Sequence, residues 1–400
     1  MSNDVVLALL IILLVEALMY TLSSSSSKIR GVFERLGLEI HVFTILIKRR
    51  SALDILNRVS RGRMNLLLWF GLIAMIISML LFYYGIYILG IGYIINLVRS
   101  FISGESTTTP PPITPIIPGV TITGVDIIYI LVAIGIAIAL HELGHAIAAK
   151  VSGVDIKSYG AGIFLIMPLA FVEIDEEKIK FNKKSALKIL SAGVLMNILL
   201  FVISFLLIIL IINMLPFLGV IQGAVISQVE PGSPAYEAGI RPGLLIVSIN
   251  NTPIYTLDNF LKFRSLITSE GSIDLYLVGM YPNGSYIRTI IHKPANATRI
   301  GVVFDGLYIP LINFFLAALV KYSDNGYTRL IFLEELIRLL VWINIINISL
   351  AIINAGPLYI TDGGKFLSIL LPKKLSDLIQ TATLSGFIII FIASFIRSIS

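Results

Sequence analysis

Two histidines and a glutamate stand together in His141-Glu142-Leu143-Gly144-His145, which closes an apolar run beginning at Ile127. On an α-helix, positions i and i+4 share one face, so both imidazoles can meet a single Zn2+ at about 2.0–2.1 Å. Glu142 projects beside them, where a carboxylate can take a proton from water that the metal has made acidic. Gly144 leaves room for another backbone to approach. Such a pentad recurs by chance, and its surroundings are what give it weight. A charged group in mid-bilayer costs at least about 2.5–3.5 kcal/mol, so ionisable side chains inside a spanning segment are functional by default. The competing reading would have three costly residues satisfied by packing alone.

Two histidines do not complete a catalytic zinc site, which normally takes three protein ligands and keeps one position open. A carboxylate is the expected third. The best candidate is Asp362, in Asn354-Ala-Gly-Pro357-Leu-Tyr-Ile-Thr-Asp362-Gly363-Gly364, with a turn residue ahead of two glycines as the alternative. Asn197, a polar side chain in a long apolar stretch, is either a donor to the carbonyl under attack or interhelical glue. The same two readings apply to Asn344, Asn347 and Asn354. His41 and His292 read as ordinary surface or half-buried residues.

These residues must be carried by membrane helices. Of 400 residues, 56% are hydrophobic and only 14% charged, which excludes an ordinary soluble globular chain. Stretches near 4–22, 65–98, 127–149, 187–214 and 333–356 are long enough to cross a bilayer, and 380–397 is a sixth. The first has Asp4 rather than a basic region before it and reads as a retained helix. The stretch 65–98 is longer than a bilayer needs, and a break near Gly85, Gly90 or Gly92 is expected. The net charge of +6 does not call for nucleic acid. Its main basic cluster, between Lys28 and Arg63, lies between two spans, which the positive-inside rule places in the cytoplasm. Alternation then puts 150–186 and 357–379 inside as well, with Lys178, Lys180, Lys183, Lys184, Lys188, Lys365, Lys373 and Lys374 on the cytoplasmic side, and puts the amino terminus, 99–125 and 215–332 outside. His145 and Asp362 then share one depth. With no cysteine in the chain, disulfides and thiolate metal sites are excluded.

The fold expected is a polytopic α-helical membrane protein of about six transmembrane helices with an inserted extracytoplasmic α+β domain. Its parts are 1–64, the first span and basic linker; 65–125, the second membrane region and a Thr/Pro-rich outer linker; 126–215, the first part of the core; 219–300, the inserted domain; 301–332, a connecting amphipathic segment; 333–370, the second part of the core; and 375–400, the last span. The segment Tyr159–Val172 is too mixed to span and reads as short strands at the membrane face. The series Pro231 to Gly243, then Ile246-Val-Ser-Ile-Asn250, then a helical Leu257–Ile267, resembles a PDZ domain, with Leu244 where aspartate is common.

The HExxH pentad in one span and Asn354-x-x-Pro357-x-x-x-x-Asp362-Gly363 in a later one resemble the site-2 proteases, over roughly 125–370. A third shared element is Ala192-Gly193-Val-Leu-Met-Asn197. Gly160-Ala-Gly-Ile-Phe164 through Pro168-Leu-Ala-Phe171-Val172 looks like the matching segment of the sterol-regulatory branch. Tyr359 and Thr361 stand where that family often has proline and leucine. The resemblance implies one Zn2+ per chain held by His141, His145 and Asp362, with Glu142 as the catalytic glutamate. It also implies intramembrane cleavage of single-span membrane proteins, with a PDZ-like domain that filters substrates or binds a peptide carboxy terminus.

A buried helix hides its carbonyls, so the substrate must unwind, and an exposed strand edge within 154–174 is expected to hold it. Asn197 and Asn354 are the candidates for contacting substrate or oxyanion. Two other readings compete. One is a membrane-anchored zincin working outside the bilayer, with Glu334 or Glu335 as third ligand. The other is a non-enzymatic scaffold or proton-relay transporter. Missing targeting signals and heavy isoleucine use suit a prokaryotic, archaeal-like plasma membrane.

Overall fold

The computed structural model describes residues 3–49, 61–104, 109–114, 121–122, 124, 126–175, 182–254, 257–268, 270–323 and 325–399. Most of the Thr/Pro linker, part of the basic linker, and Lys178 and Lys180 lie outside the described residues. The chain divides into a first unit, Met1–Ser204 with Trp342–Ser400, and a second, Phe205–Val341.

Five helices among the described residues are long and apolar enough to cross a membrane, with a sixth if a bent pair counts as one span. The bent pair is α1 (Asn3–Ser25) and α2 (Ser27–Arg35), turning by 116° between them. Next come α3 (Arg61–Tyr83) and α4 (Ile91–Ser103), joined through a π-helical stretch at Tyr84–Gly90. The break expected around Gly85 to Gly92 is therefore a change of winding, and Met64–Ser103 runs as one span. α5 (Asp126–Val151), α6 (Lys183–Met214) and α9 (Ile331–Ala355) follow, then a short α10 (Asp362–Leu370) and the final α11 (Lys373–Ile399).

A four-stranded antiparallel sheet belongs to the first unit, in the order β1 (Leu38–His41), β2 (Thr44–Arg49), β3 (Ile156–Phe164), β4 (Met167–Ile174). The expected membrane-face strands are β3 and β4. The pairing of β2 with β3, from Thr44 opposite Phe164 to Arg49 opposite Tyr159, puts the linker after α2 and the loop after α5 on one side. That requires an even number of crossings between them, which the single 64–103 span and α5 supply.

Polar ties and a small-residue core fix the helices that matter for the site. Trp342 Nε1 donates to Asp126 at the start of α5, at 3.0 Å. Asn344 Nδ2 donates to the Phe201 carbonyl and Ser204 Oγ on α6. Met75, Val194, Ala351, Ala355 and Phe366 form one buried cluster that draws α3, α6, α9 and α10 together.

The second unit is built on a nine-stranded sheet, in the order β11-β12-β5-β6-β8-β9 with β7, β10 and β13 attached. Its strands are β5 (Ile221–Val229), β6 (Leu245–Ile249), β7 (Thr252–Pro253), β8 (Ile273–Met280), β9 (Tyr286–Lys293), β10 (Val302–Phe304), β11 (Gly306–Ile309), β12 (Phe314–Ser323) and β13 (Gly326–Arg329), with helices α7 (Pro234–Glu237) and α8 (Leu257–Thr268). Period-2 alternation builds its core: Leu275 and Leu277 face in while Asp274 and Tyr276 face out. Phe260 and Phe263 of α8 pack on Phe304 edge-on. The stretch 301–332, expected to be an amphipathic connector, instead supplies four strands. The reason is burial of β12 on both faces from Leu316 to Val320, which turns alternation into an unbroken apolar run.

Candidate metal centre

α5 presents His141 and His145 on one face, 7% and 8% exposed, as the i,i+4 spacing requires. α6 crosses this face closely enough that side chains are excluded at the contact. A Cβ on Gly193 would lie 2.5 Å from His141 Nε2 and 2.7 Å from His145 Nε2, and one on Gly144 would lie 2.6 Å from the Ala192 carbonyl oxygen. The crossing also orients a ring: His145 Nδ1 lies 2.7 Å from the Ile189 carbonyl oxygen. A carbonyl only accepts, so Nδ1 carries the hydrogen and Nε2 turns a lone pair toward the centre.

The third side chain arrives from the far end of the chain, 221 positions after His141. α9 ends at Ala355, the chain reverses through Gly356 and Pro357, and Thr361 caps α10 by accepting from the Gly364 N–H. Asp362 occupies the first turn, where unpaired N–H groups and the helix dipole favour a carboxylate. The two glycines after it allow the turn to rest on the end of α9. A Cβ at 363 would lie 2.0 Å from the Ala355 oxygen, and one at 364 would lie 1.8 Å from the Leu358 oxygen.

Asp362 Oδ2 is 3.0 Å from His141 Nε2 and 3.1 Å from His145 Nε2, and the two Nε2 atoms are 3.1 Å apart. A carboxylate oxygen and an imidazole lone pair, both acceptors, therefore converge with a second imidazole nitrogen, an arrangement that a cation would satisfy. Tetrahedral zinc with ligands at 2.0–2.1 Å spaces them about 3.3–3.4 Å apart, a few tenths of an ångström wider than here. The donor set fits zinc. Among the described residues no other cluster of metal-ligating side chains is found.

Glu142 is half-buried, and its Oε2 accepts from the Val172 N–H of β4 at 3.0 Å. It shares with His145 and Asp362 a cavity of about 1330 Å3, walled by Phe171 and Val172 of β4 and by Tyr359 and Gln380. At its rim the Glu173 carboxyl is held below its usual range by the Ser158 hydroxyl, at 2.6 Å, and by Lys48.

The remaining candidates separate clearly. Asn197 is fully buried one turn beyond Gly193, and neither its Nδ2 nor its Oδ1 has a partner. Asn344 is interhelical glue, while Asn347 Nδ2 donates to its own helix at the Ile343 carbonyl. Asn354 is half-buried in the last turn of α9 and does not line the cavity. His41 is exposed, and His292 pairs with Asp274 at 2.5 Å on the surface. Glu334 is taken up by Arg329 and the Leu319 N–H, and Glu335 pairs with Arg338, which disfavours either as a metal ligand.

Sequence reasoning missed the Ile189 carbonyl, the Thr361 cap and Gln380. Threonine directly before an acidic first-turn residue, here Thr361 before Asp362, is a capping signal that could have revealed the second. The other two contacts have no local signature.

The family model of peptidase family M50 matches residues 129–394. Over 194 residues, 48% of this chain and 50% of the relative, the sequence is 31% identical to an uncharacterized protein of Methanocaldococcus jannaschii. It is 27% identical over 174 residues, 36% of this chain and 48% of the relative, to a candidate zinc metalloprotease of Clostridium acetobutylicum. A membrane-bound transcription factor site-2 protease homolog of Arabidopsis thaliana is 27% identical over 157 residues, 39% of this chain and 30% of the relative. The chain thus spans about half or less of the length of these relatives. The family match runs through both segments that carry the donor atoms, and the chain belongs to peptidase family M50, the site-2 protease family.

Proposed function

We propose that this protein is a multi-pass intramembrane zinc endopeptidase that cuts single-span membrane proteins. The observation that carries this reading is the convergence of His141 and His145, within the span Asp126–Val151, with Asp362, just after the span Ile331–Ala355, and with Glu142 one residue from the first donor. Zinc held by those three side chains would supply Lewis acidity, making water a nucleophile near neutral pH and polarising the peptide carbonyl. Glu142 accepts the proton of the attacking water and delivers it to the leaving amide nitrogen, so that water is consumed and a carboxyl and an amine appear. His145 keeps its Nε2 available because Ile189 holds its Nδ1 hydrogen.

The substrate helix must unwind before its carbonyls can react. β4 offers the device: it pairs with β3 along one edge, and its Val172 N–H already reaches Glu142. An extended substrate segment laid on the β4 edge would bring its backbone to the base. Asn197, with its amide unpaired, is suited to donate to the carbonyl under attack, and Asn354 serves at most as a more distant contact.

Residues 219–300 read as a PDZ-like filter on the outer face, selecting substrates by their outer bulk or by a free carboxy terminus. The basic loops face the cytoplasm, and a prokaryotic, archaeal-like plasma membrane suits the composition. The test is Glu142→Gln in the full chain. It should retain zinc and lose at least about 100-fold in cleavage of single-span peptides; substantial remaining proteolysis would reject the role given to Glu142.

A further inference from the structure

A polar cluster not used by this chemistry lies against the helix that carries Asp362. Gln380, on α11, is 2% exposed and lines the same cavity as Glu142, His145 and Asp362. Its Nε2 donates to Ser368 Oγ at 3.0 Å and to Ser376 Oγ at 2.8 Å, and the two hydroxyls are 2.9 Å apart. Ser368 Oγ also donates to the Gly364 carbonyl at 3.0 Å. Proton counting fixes the whole chain. Ser368 spends its hydrogen on the carbonyl, so Ser376 must donate to Ser368, and the two amide hydrogens of Gln380 go one to each hydroxyl.

The amide orientation is thereby set, and its Oε1 is turned onto Gly364, where a Cβ would lie 2.7 Å from it. Gly364 stands two residues after Asp362, in the same first turn of α10. Gln380 therefore touches that turn twice, through Oε1 directly and through Ser368 at the carbonyl. One amide hydrogen stays on its own helix, at Ser376, while the other ties Ser368 of α10, whose hydroxyl holds the Gly364 carbonyl, and Oε1 rests against Gly364.

We infer that Gln380 is a positioning residue for Asp362. By fixing the first turn of α10 it holds the carboxylate at equal distance from both imidazoles. The inference rests on the reading that His141, His145 and Asp362 bind zinc.

The test is zinc affinity of the purified full chain, by chelator competition, alongside melting of the metal-free protein. Gln380→Leu should weaken zinc about tenfold, as substitutions behind metal ligands do. Ser368→Ala should do so less, and the double variant should be about as weak as Gln380→Leu, because Ser368 is one of the two routes by which Gln380 reaches the turn. Thr383→Val, buried on the same helix and bonded to Tyr83 rather than to α10, is the control and should leave zinc affinity unchanged whatever it does to melting. Unaltered zinc affinity in Gln380→Leu overturns the inference, as does an equal loss in Thr383→Val. If Asp362→Ala binds zinc like the parent, the site reading itself falls. Loss in Asp362→Ala with none in Gln380→Leu leaves the site standing and removes only Gln380.

Discussion

Buried polar groups are treated in opposite ways in the two units. In the second, Arg329 forks onto Glu334, at 2.7 Å from its Nη2, and also pairs with Asp305, contacts that hold the guanidinium firmly protonated. Lys293, fully buried, caps two carbonyls, those of Gly271 and Ala297. In the first unit, His141 Nδ1 and both amide atoms of Asn197 are buried without protein partners, and three metal-type donors face one another. An unpaired buried polar atom costs about 1–3 kcal/mol, so it persists where something other than stability retains it. Glu16 and Ser78 also lack partners in the first unit, and what distinguishes the site is that its unpaired atoms lie beside converging metal-type donors.

The contrast can be broken most forcefully at Gly193. Gly193→Val places carbon where the imidazole nitrogens stand, and zinc binding should be abolished, as metal analysis would show; retained zinc would refute the close crossing. Next in size is Arg329→Met, which strands Glu334 and Asp305 half-buried. It should cost about 2–3 kcal/mol, below the 3–5 of a fully buried pair, and leave zinc content unchanged. Denaturant unfolding and metal analysis on one sample would check both halves.

Asn197→Leu sharpens the comparison from the other side. If Asn197 serves substrate, removing an unpaired amide should leave stability equal or higher while kcat falls about 100-fold; lost stability with intact turnover would make it glue. The smallest effect concerns Glu173. Its carboxyl is depressed by Ser158 and Lys48, so its stabilising contribution is complete above the ordinary carboxylate pKa and disappears as pH falls through the lower folded value. Glu173→Gln should lower the melting temperature slightly at neutral pH, and the difference from the parent should vanish as the pH falls below the folded value.

Much of the fold was legible because its signals are local. Helical spans are written in runs of apolar residues, and the pairing of His141 with His145 follows from 3.6-residue periodicity alone. The β1–β2 hairpin was not, because its turn uses Val42 and Phe43, with Phe43 at φ 55°, where asparagine or glycine would have announced it. Its strands also sit among the charges that read as a basic linker. β12 was hidden by burial on both faces.

From its sequence alone the protein was determined to be a membrane chain with two metal-ligating imidazoles on one helix and a base beside them, since composition and i,i+4 spacing need no partner to act. Only the tertiary structure decided that Asp362 meets both rings, that Ile189 sets the tautomer of His145, and that Gln380 braces the turn between them. Those contacts join positions far apart in the chain, and they exist only once small residues at 144, 193, 363 and 364 let the helices approach to backbone distance.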